Sequence, residues 1–437
     1  MKPPAKPSAP VHRSEFPLVQ IEKPIYGGAF LARMEGKAVF VPLTLPGEQA
    51  CVHIVEDKRG YATAEAEQIL KPAPERVAPA CHHFGACGGC HYQHATYETQ
   101  LRFKQAILRE TLERAGVRTP EQIGVLAANP WAYRNRIRVA FDAAGNPGYR
   151  GRRSHEVIPI AECPIAAPML VRAAQAAAGI LCQSSFVQRT PEISFFCDAA
   201  ETALLVSVLN ASGAKNRIQD FARALGERIP ALRGVELAAA EHPSQPLRTI
   251  AQWGATSLTY RVAGFDYRVD QGAFFQVNRW LVDALVERVT AVHTGALAWD
   301  LCAGVGLFAR QLAASFDRVI AVESASAAAA ALEQNRSGTG ATAQKSAALD
   351  FLRRVHAGER PDLIVADPPR TGLGAETCKL LGEIAAPALV YVSCDPATLA
   401  RDLRALRGAG YAIQNLALVD LFPHTFHVET VAELRHS

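Results

Sequence analysis

A chain of 437 residues exceeds one ordinary domain and leaves room for about two to four of ~100–200 residues each. Its composition, 49% hydrophobic and 20% charged, is that of a soluble globular protein with a sizeable core, and no apolar run approaches the ~18 residues of a membrane span. A formal net charge of +4 does not by itself announce a nucleic-acid partner, and ten cysteines are too few for a disulfide scaffold. The composition fits a reducing cytoplasm, where clustered cysteines point to metal or catalysis.

In chain order, residues 1–14 are rich in Pro, Ala and basic residues and lack an apolar signal core, so they read as a disordered tail. Residues 15–72 alternate apolar and polar side chains between Gly and Pro turns, as in Ala38-Val39-Phe40-Val41, which predicts a small all-β barrel. A Pro-rich connector, Leu70 to Ala80, leads into CHHFGACGGCHYQH and then a helical stretch closed by Gly116. The remainder of 73–270 mixes strands (RIRVAFD, EISFFCD, ALLVSVLN) with helices and reads as α+β. From 271 to 437 short apolar runs ending in small or acidic residues (ALAWDLCAG, RVIAVES, DLIVADPP, ALVYVSC) alternate with helices. That alternation marks a doubly wound α/β domain.

The C-terminal region carries the chemistry. DLCAGVGLF is a strand, a glycine turn and a helix start, and Glu323 ends the next strand, where a carboxylate can hold ribose hydroxyls. This pattern alone leaves NAD and S-adenosylmethionine both open. ADPPRTG favours the latter: Asp367 ends an apolar strand and two prolines stiffen the chain beyond it. Amine methylation is disfavoured because Arg370 stands where such enzymes place an aromatic residue after the prolines. Cys394, at the tip of the next apolar run, is then a candidate nucleophile, and Glu429 in FPHTFHVET a candidate base.

Cys81, Cys87 and Cys90 form a C-x5-C-x2-C array, and Cys163 is followed by Pro164. Four thiolates suit an iron–sulfur cluster, and equally a tetrahedral zinc site with His82, His83 and His91 close by. Arg134, Arg136, Arg138, Arg150, Arg152 and Arg153, interleaved with Tyr133 and Tyr149, are expected to meet RNA phosphates and bases.

Taken in order, DQGAFFQVN, DLCAGVGLF, DPPR, VSCDPATLARD and FPHTFHVET resemble the RNA (uracil-5-)-methyltransferase family. The barrel and cysteine cluster look most like its bacterial 23S ribosomal RNA members. The resemblance implies a multidomain protein: an OB-like TRAM barrel, a central α+β domain with an iron–sulfur site, and a C-terminal Rossmann-like S-adenosylmethionine methyltransferase domain. It implies Cys394 as nucleophile adding to uracil C6, and Glu429 as general base. S-adenosylmethionine contacts would come from Gln276, Cys302, Leu307, Glu323, Ser346 and Asp367, with Ser346 standing where relatives place Asn or Asp. A [4Fe-4S] cluster would sit on Cys81, Cys87, Cys90 and Cys163, and the target base would be extruded from its stack. The expected partner is 23S rRNA, acted on by a cytoplasmic monomer that needs no membrane and no protein partner. A transfer-RNA uracil-C5 methyltransferase, a radical methylthiotransferase and a non-catalytic iron–sulfur RNA-binding protein are the competing readings.

A lowered pKa of Cys394 is expected as well, because the thiolate is the attacking form.

Overall fold

The computed structural model describes residues 16–183, 192–210, 217–240, 247–355 and 357–436, so the tail at 1–14 lies outside the described residues. The chain forms two compact units, one of residues 1–78 and 94–96, the other of residues 79–93 and 97–437. The boundary expected near residue 270 falls inside the second unit.

In the first unit, β1 (Leu18–Pro24), β2 (Ala29–Met34), β3 (Lys37–Pro42), β4 (Gln49–Asp57) and β5 (Tyr61–Lys71) close a barrel in the order β1-β2-β3-β5-β4. Alternation fills it at Val19, Ile21, Val39 and Ala64, buried between more exposed neighbours, while Phe30, Val41 and Val52 lie in short runs of buried residues. The buried Glu48 accepts from Leu45 N, Ala73 N and both Arg76 Nε and Nη2. Burial opposes its charge, but the Arg76 bond and the two amides hold the carboxyl below its ordinary range.

The second unit begins with the cysteine loop and α1 (Tyr97–Arg114), whose buried Phe103, Ile107, Leu108 and Leu112 form one face. Gly116, at φ +76°, ends this helix as its sequence position predicted. A short β6 (Gly124–Leu126) follows. Next come β7 (Arg136–Phe141), β8 (Pro147–Arg150), β9 (Val157–Pro159), α2 (Pro168–Gln183), β10 (Glu192–Cys197), β11 (Leu204–Leu209), α3 (Ile218–Arg228), β12 (Leu232–Ala239) and β13 (Arg248–Gly254). These strands make a seven-stranded sheet, β13-β12-β11-β10-β7-β8-β9, packed on α2 and α3. A hairpin of β14 (Ser257–Val262) and β15 (Phe265–Asp270) leads on to the C-terminal layer.

That layer contains α4 (Val282–Thr290), β16 (Gly295–Leu301), α5 (Leu307–Leu312), β17 (Phe316–Glu323), α6 (Ser326–Asn335), β18 (Ala341–Lys345), α7 (Ala348–Val355), β19 (Leu363–Ala366), α8 (Ala375–Ile384), β20 (Ala388–Ser393), α9 (Pro396–Gly408), β21 (Tyr411–Val419) and β22 (Glu429–His436). Its eight-stranded sheet runs β18-β17-β16-β19-β20-β22-β21-β6. The strands from β18 to β20 are parallel, and the central β19 and β20 are buried along their whole length, as strands covered by helices on both sides are. The order reverses between β16 and β19, so the crevice beyond their carboxyl ends is the expected ligand position. β22 runs antiparallel to β20. Its first residue, and not its last, therefore lies at that carboxyl edge.

Among the described residues no helix is long and apolar enough to cross a membrane.

Candidate active site

Three of the expected residues meet at this edge because three strand ends meet there. Asp367 follows β19, whose Ala366 pairs with Tyr391 of β20. Cys394 follows β20, and the pairing of Ser393 with Thr430 puts Glu429 across from it. The chain beyond Cys394 turns at once because Asp395 caps α9: its Oδ1 accepts from Ala397 N and Thr398 N, with Pro396 in the first turn. Cys-Asp-Pro is thus a thiol at a strand tip followed by a helix start.

The electrostatics of this edge are those of negative groups held out of water. Burial, then the Asp367 charge, raises the Glu429 carboxyl well above its usual range, with Arg370 opposing. Burial lifts Asp367 to about 7. Burial, then Glu429 and Asp367, pushes the Cys394 thiol up to about 11. The lowered value expected from sequence is therefore reversed in the free protein, since burial and two neighbouring carboxylates outweigh Arg370 and a backbone hydrogen bond. Arg370 is exposed and lies 3.5 Å from His427 Nδ1, and burial holds His427 down at about 4. His427 is consequently a neutral imidazole at neutral pH.

The turn after β16 is built to leave room. Cys302, Gly304 and Gly306 all have positive φ (63°, 57° and 89°), and a Cβ on Gly304 would meet nothing within 4 Å. Tyr267 Oη donates to Leu307 O, and Asp300 Oδ2 accepts from Ala309 N. Glu323 ties the turn to the end of β17: its Oε2 accepts from Gly304 N and its Oε1 from Ala325 N. Gln276 is buried, and Asn135 Nδ2 donates to its carbonyl. Ser346 N donates to Glu323 O, while its hydroxyl accepts from Arg354 Nη2 and donates to Ala347 O. Ser346 therefore stands at the end of β18, beside Glu323.

The cysteine site forms from two distant segments. Pairing of Arg134 with Ala166 and hydrogen bonds from Ala132 N to Pro164 O and from Arg134 N to Ile165 O carry the Cys163 turn alongside. Burial, then for Cys90 and Cys87 the charge of Cys163, raises these thiols, Cys90 to about 12; Cys81 is raised too and also feels Cys163. Cys81, Cys87 and Cys90 thus each feel Cys163, an all-thiol donor set of the kind an iron–sulfur cluster takes. Two of the three histidines weighed for zinc are engaged elsewhere: His82 Nδ1 lies 3.1 Å from Glu162, and the His91 ring packs on Phe426. No three His, Cys, Asp or Glu side chains among the described residues are placed to hold a single metal ion.

The arginine array is less free than its spacing implied. Arg136 lies over the Phe196 ring and donates to Ala273 O, and Arg138 and Arg150 share Glu192. Sequence reasoning missed Asn278, whose Nδ2 donates to Asp420 O and Leu421 O, and Asp402, which accepts from Leu373 N, Gly374 N and Tyr391 Oη. Both close motifs that were read for other residues, DQGAFFQVN and VSCDPATLARD.

Comparison with known proteins agrees with this layout. Residues 356–436 match the tRNA (Uracil-5-)-methyltransferase family, and residues 16–66 match the TRAM domain. A Pectobacterium atrosepticum protein named 23S rRNA (uracil(1939)-C(5))-methyltransferase RlmD is 32% identical, covering 94% of this chain and 91% of its own. A Halomonas elongata protein of the same name is also 32% identical, over 94% of this chain and 88% of its own. The crystal structure of Pyrococcus abyssi tRNA (uracil-54, C5)-methyltransferase with S-adenosyl-L-homocysteine superposes with a TM-score of 0.77 at 24% identity, covering 95% of this chain and 99% of that one. That coverage shows the same fold, barrel region included, in a protein named for transfer RNA. The barrel alone therefore does not separate the two RNA classes.

Proposed function

Since the chain belongs to the RNA (uracil-5-)-methyltransferase family, we propose that it methylates C5 of one uridine in 23S rRNA through a covalent adduct on Cys394. The observation that carries this reading is the strand register that sets Cys394 across from Glu429, with Asp367 on the neighbouring strand end.

Uracil C5 is a weak carbon nucleophile. Addition of the Cys394 sulfur to C6, with loss of the thiol proton, turns C5 into an enolate carbon. S-adenosylmethionine supplies the electrophilic methyl group that this carbon takes. Glu429 then accepts the C5 proton, and the electrons of that C–H bond expel the thiolate from C6. With a thiol lifted to about 11, the free protein stores little thiolate, and the thiol proton passes to water on addition. Glu323, Asp367 and Gln276 would hold the cofactor, with Cys302, Leu307 and Ser346 lining its pocket.

The four cysteines would bind a [4Fe-4S] cluster. Methylation needs no redox step, so the cluster's part is structural. The proposed division of labour follows the sequence: barrel at 15–72, cluster and RNA contacts at 73–270, chemistry at 271–437. A reaction on ribosomal RNA implies work in the cytoplasm, and the reading takes the protein to act as a monomer.

The 23S assignment rests on relatives of that name; the structural neighbour named for tRNA supports a second substrate reading. One experiment separates them. Purified protein is incubated with S-adenosylmethionine and unmodified 23S rRNA or tRNA, with Cys394→Ala in parallel, and nuclease fragments are weighed. A single 5-methyluridine in 23S rRNA, lost in the variant, is the expected result. Methylation of tRNA alone overturns the substrate, and methylation surviving in Cys394→Ala overturns the adduct. Iron and acid-labile sulfide in the purified protein, lost in Cys163→Ser, test the cluster.

A further inference from the structure

The segment between β21 and β22 holds an arrangement that the reaction above does not use. Lys104, fully buried on α1, reaches Asp420 Oδ1 at 2.5 Å and Phe422 O at 2.9 Å. Tyr97 Oη donates to Asp420 Oδ2 at 2.8 Å. Gln100 grips the other end: its Oε1 accepts from His424 N at 3.0 Å, and its Nε2 lies 3.2 Å from His424 Nδ1. These three residues stand one helical turn apart, three and four positions, so one face of α1 clamps the segment 420–424.

The clamp leads directly to the base. His424 holds a left-handed backbone, φ +64°, which a side chain of this kind seldom adopts unless its surroundings impose it. Beyond it, Thr425 turns back on Phe422 O, and His427 N donates to Thr425 Oγ1. Glu429, two residues on, opens β22. A buried Lys–Asp pair is a poor way to gain stability compared with apolar packing, but it fixes one register. Placing such a pair just upstream of a residue that must meet a proton accurately points to orientation.

We propose that Lys104, with Tyr97 and Gln100, is a positioning group for Glu429, acting on the removal of the C5 proton. This rests on the covalent reading above. If the clamp aims the base, loosening it leaves addition and methyl transfer in place and slows only the step that releases the enzyme. The methylated adduct then accumulates.

The test uses the full-length protein with the RNA it methylates. Lys104→Met/Asp420→Leu replaces the pair by apolar groups and avoids a stranded buried charge, while Tyr97→Phe removes one oxygen. Adduct is read as an RNA-shifted band on a denaturing gel, beside turnover and thermal unfolding. The double variant is expected to fold, to lose about tenfold or more in turnover, and to accumulate adduct in proportion. Tyr97→Phe is expected to move both readouts the same way by less, and it carries the test if the double variant does not fold. Unchanged turnover in the folded variants overturns the proposal. So does slower turnover without adduct, which would mean a merely structural clamp. Glu429→Gln is the control: if it fails to trap adduct, the assignment of the base falls, and the clamp's role with it. If it traps and the clamp variants do not, the clamp alone is wrong.

Discussion

Cys394 and Glu429 lie opposite one another across the β20–β22 ladder, and the carboxylate is the first neighbouring charge to raise the thiol. Alkylation should show this. In the free protein the rate at Cys394 is expected to climb with pH toward a midpoint of about 11, well above the ~8.5 of an ordinary thiol. Glu429→Gln removes a negative neighbour, so its midpoint moves down and its rate at pH 8 goes up. An ordinary profile in the unaltered protein would refute the arrangement, and no shift in the variant would refute the coupling.

Asp367 makes a stability prediction of definite sign. Its carboxyl rises from 3.8 to about 7 on folding, because burial disfavours the anion. The folded state therefore holds its proton more tightly than the unfolded chain. The stability this contributes is fully present below the unfolded value and is lost as pH rises through about 7. Asp367→Asn should unfold at a higher temperature than the unaltered protein at pH 8 and at nearly the same temperature at pH 4, while losing methylation. Equal melting at both values would show that the carboxylate is not held at a cost. Functional sites commonly carry such a burden.

What could be read from sequence was what local pattern determines. The barrel strands and β16, β17, β19 and β20 show period two or apolar runs between turn residues, and Gly116 marked the end of α1. As candidates, Asp367 and Cys394 were legible because each sits where an apolar run stops, and Glu429 because it stands in FPHTFHVET, at the opening of β22. Three kinds of feature were not. β6 is only Gly-Val-Leu, too short for any period, and joins the catalytic sheet beside Ala417–Val419. Lys104 looks like any helix-surface lysine until Asp420, 316 residues away, closes on it. The direction of the Cys394 shift depends on burial and on charges brought in from two other strands, and the partners of Arg136 and Arg138 within the fold, Phe196 and Glu192, lie on β10.

Asp395 tests the local part of the site. As the cap of α9 it satisfies two amides that have no helical partner. Asp395→Ala is expected to cost about 1 kcal/mol in urea unfolding, and Asp395→Ser or Asn much less. Since the cap also fixes the chain one residue after Cys394, turnover should fall in the alanine variant and recover in serine. An alanine variant as stable as the original would mean that the cap is not used in solution.

Asp402 tests the other side. Its buried carboxylate gathers Tyr391 Oη at 2.9 Å, Leu373 N at 2.7 Å and Gly374 N at 3.3 Å, while Arg401 Nη2 holds Thr371 O. It thereby anchors the loop that leaves Asp367 and carries Arg370. Gly372 beside it has φ +74°, and a Cβ there would come within 2.3 Å of Asp402 Oδ2, so the loop has no room to repack around a larger residue. Asp402→Ala strands a phenol and two amides in the interior, which predicts a loss of about 3 kcal/mol by denaturant unfolding. Asp402→Asn keeps an acceptor for some of these donors and should lose less. If the loop is what Asp402 serves, turnover of the asparagine variant falls further than its folded fraction does, because Arg370 and Asp367 shift together relative to Cys394. Turnover that only tracks the folded fraction would make Asp402 a fold residue and leave the placement of Arg370 to the two prolines.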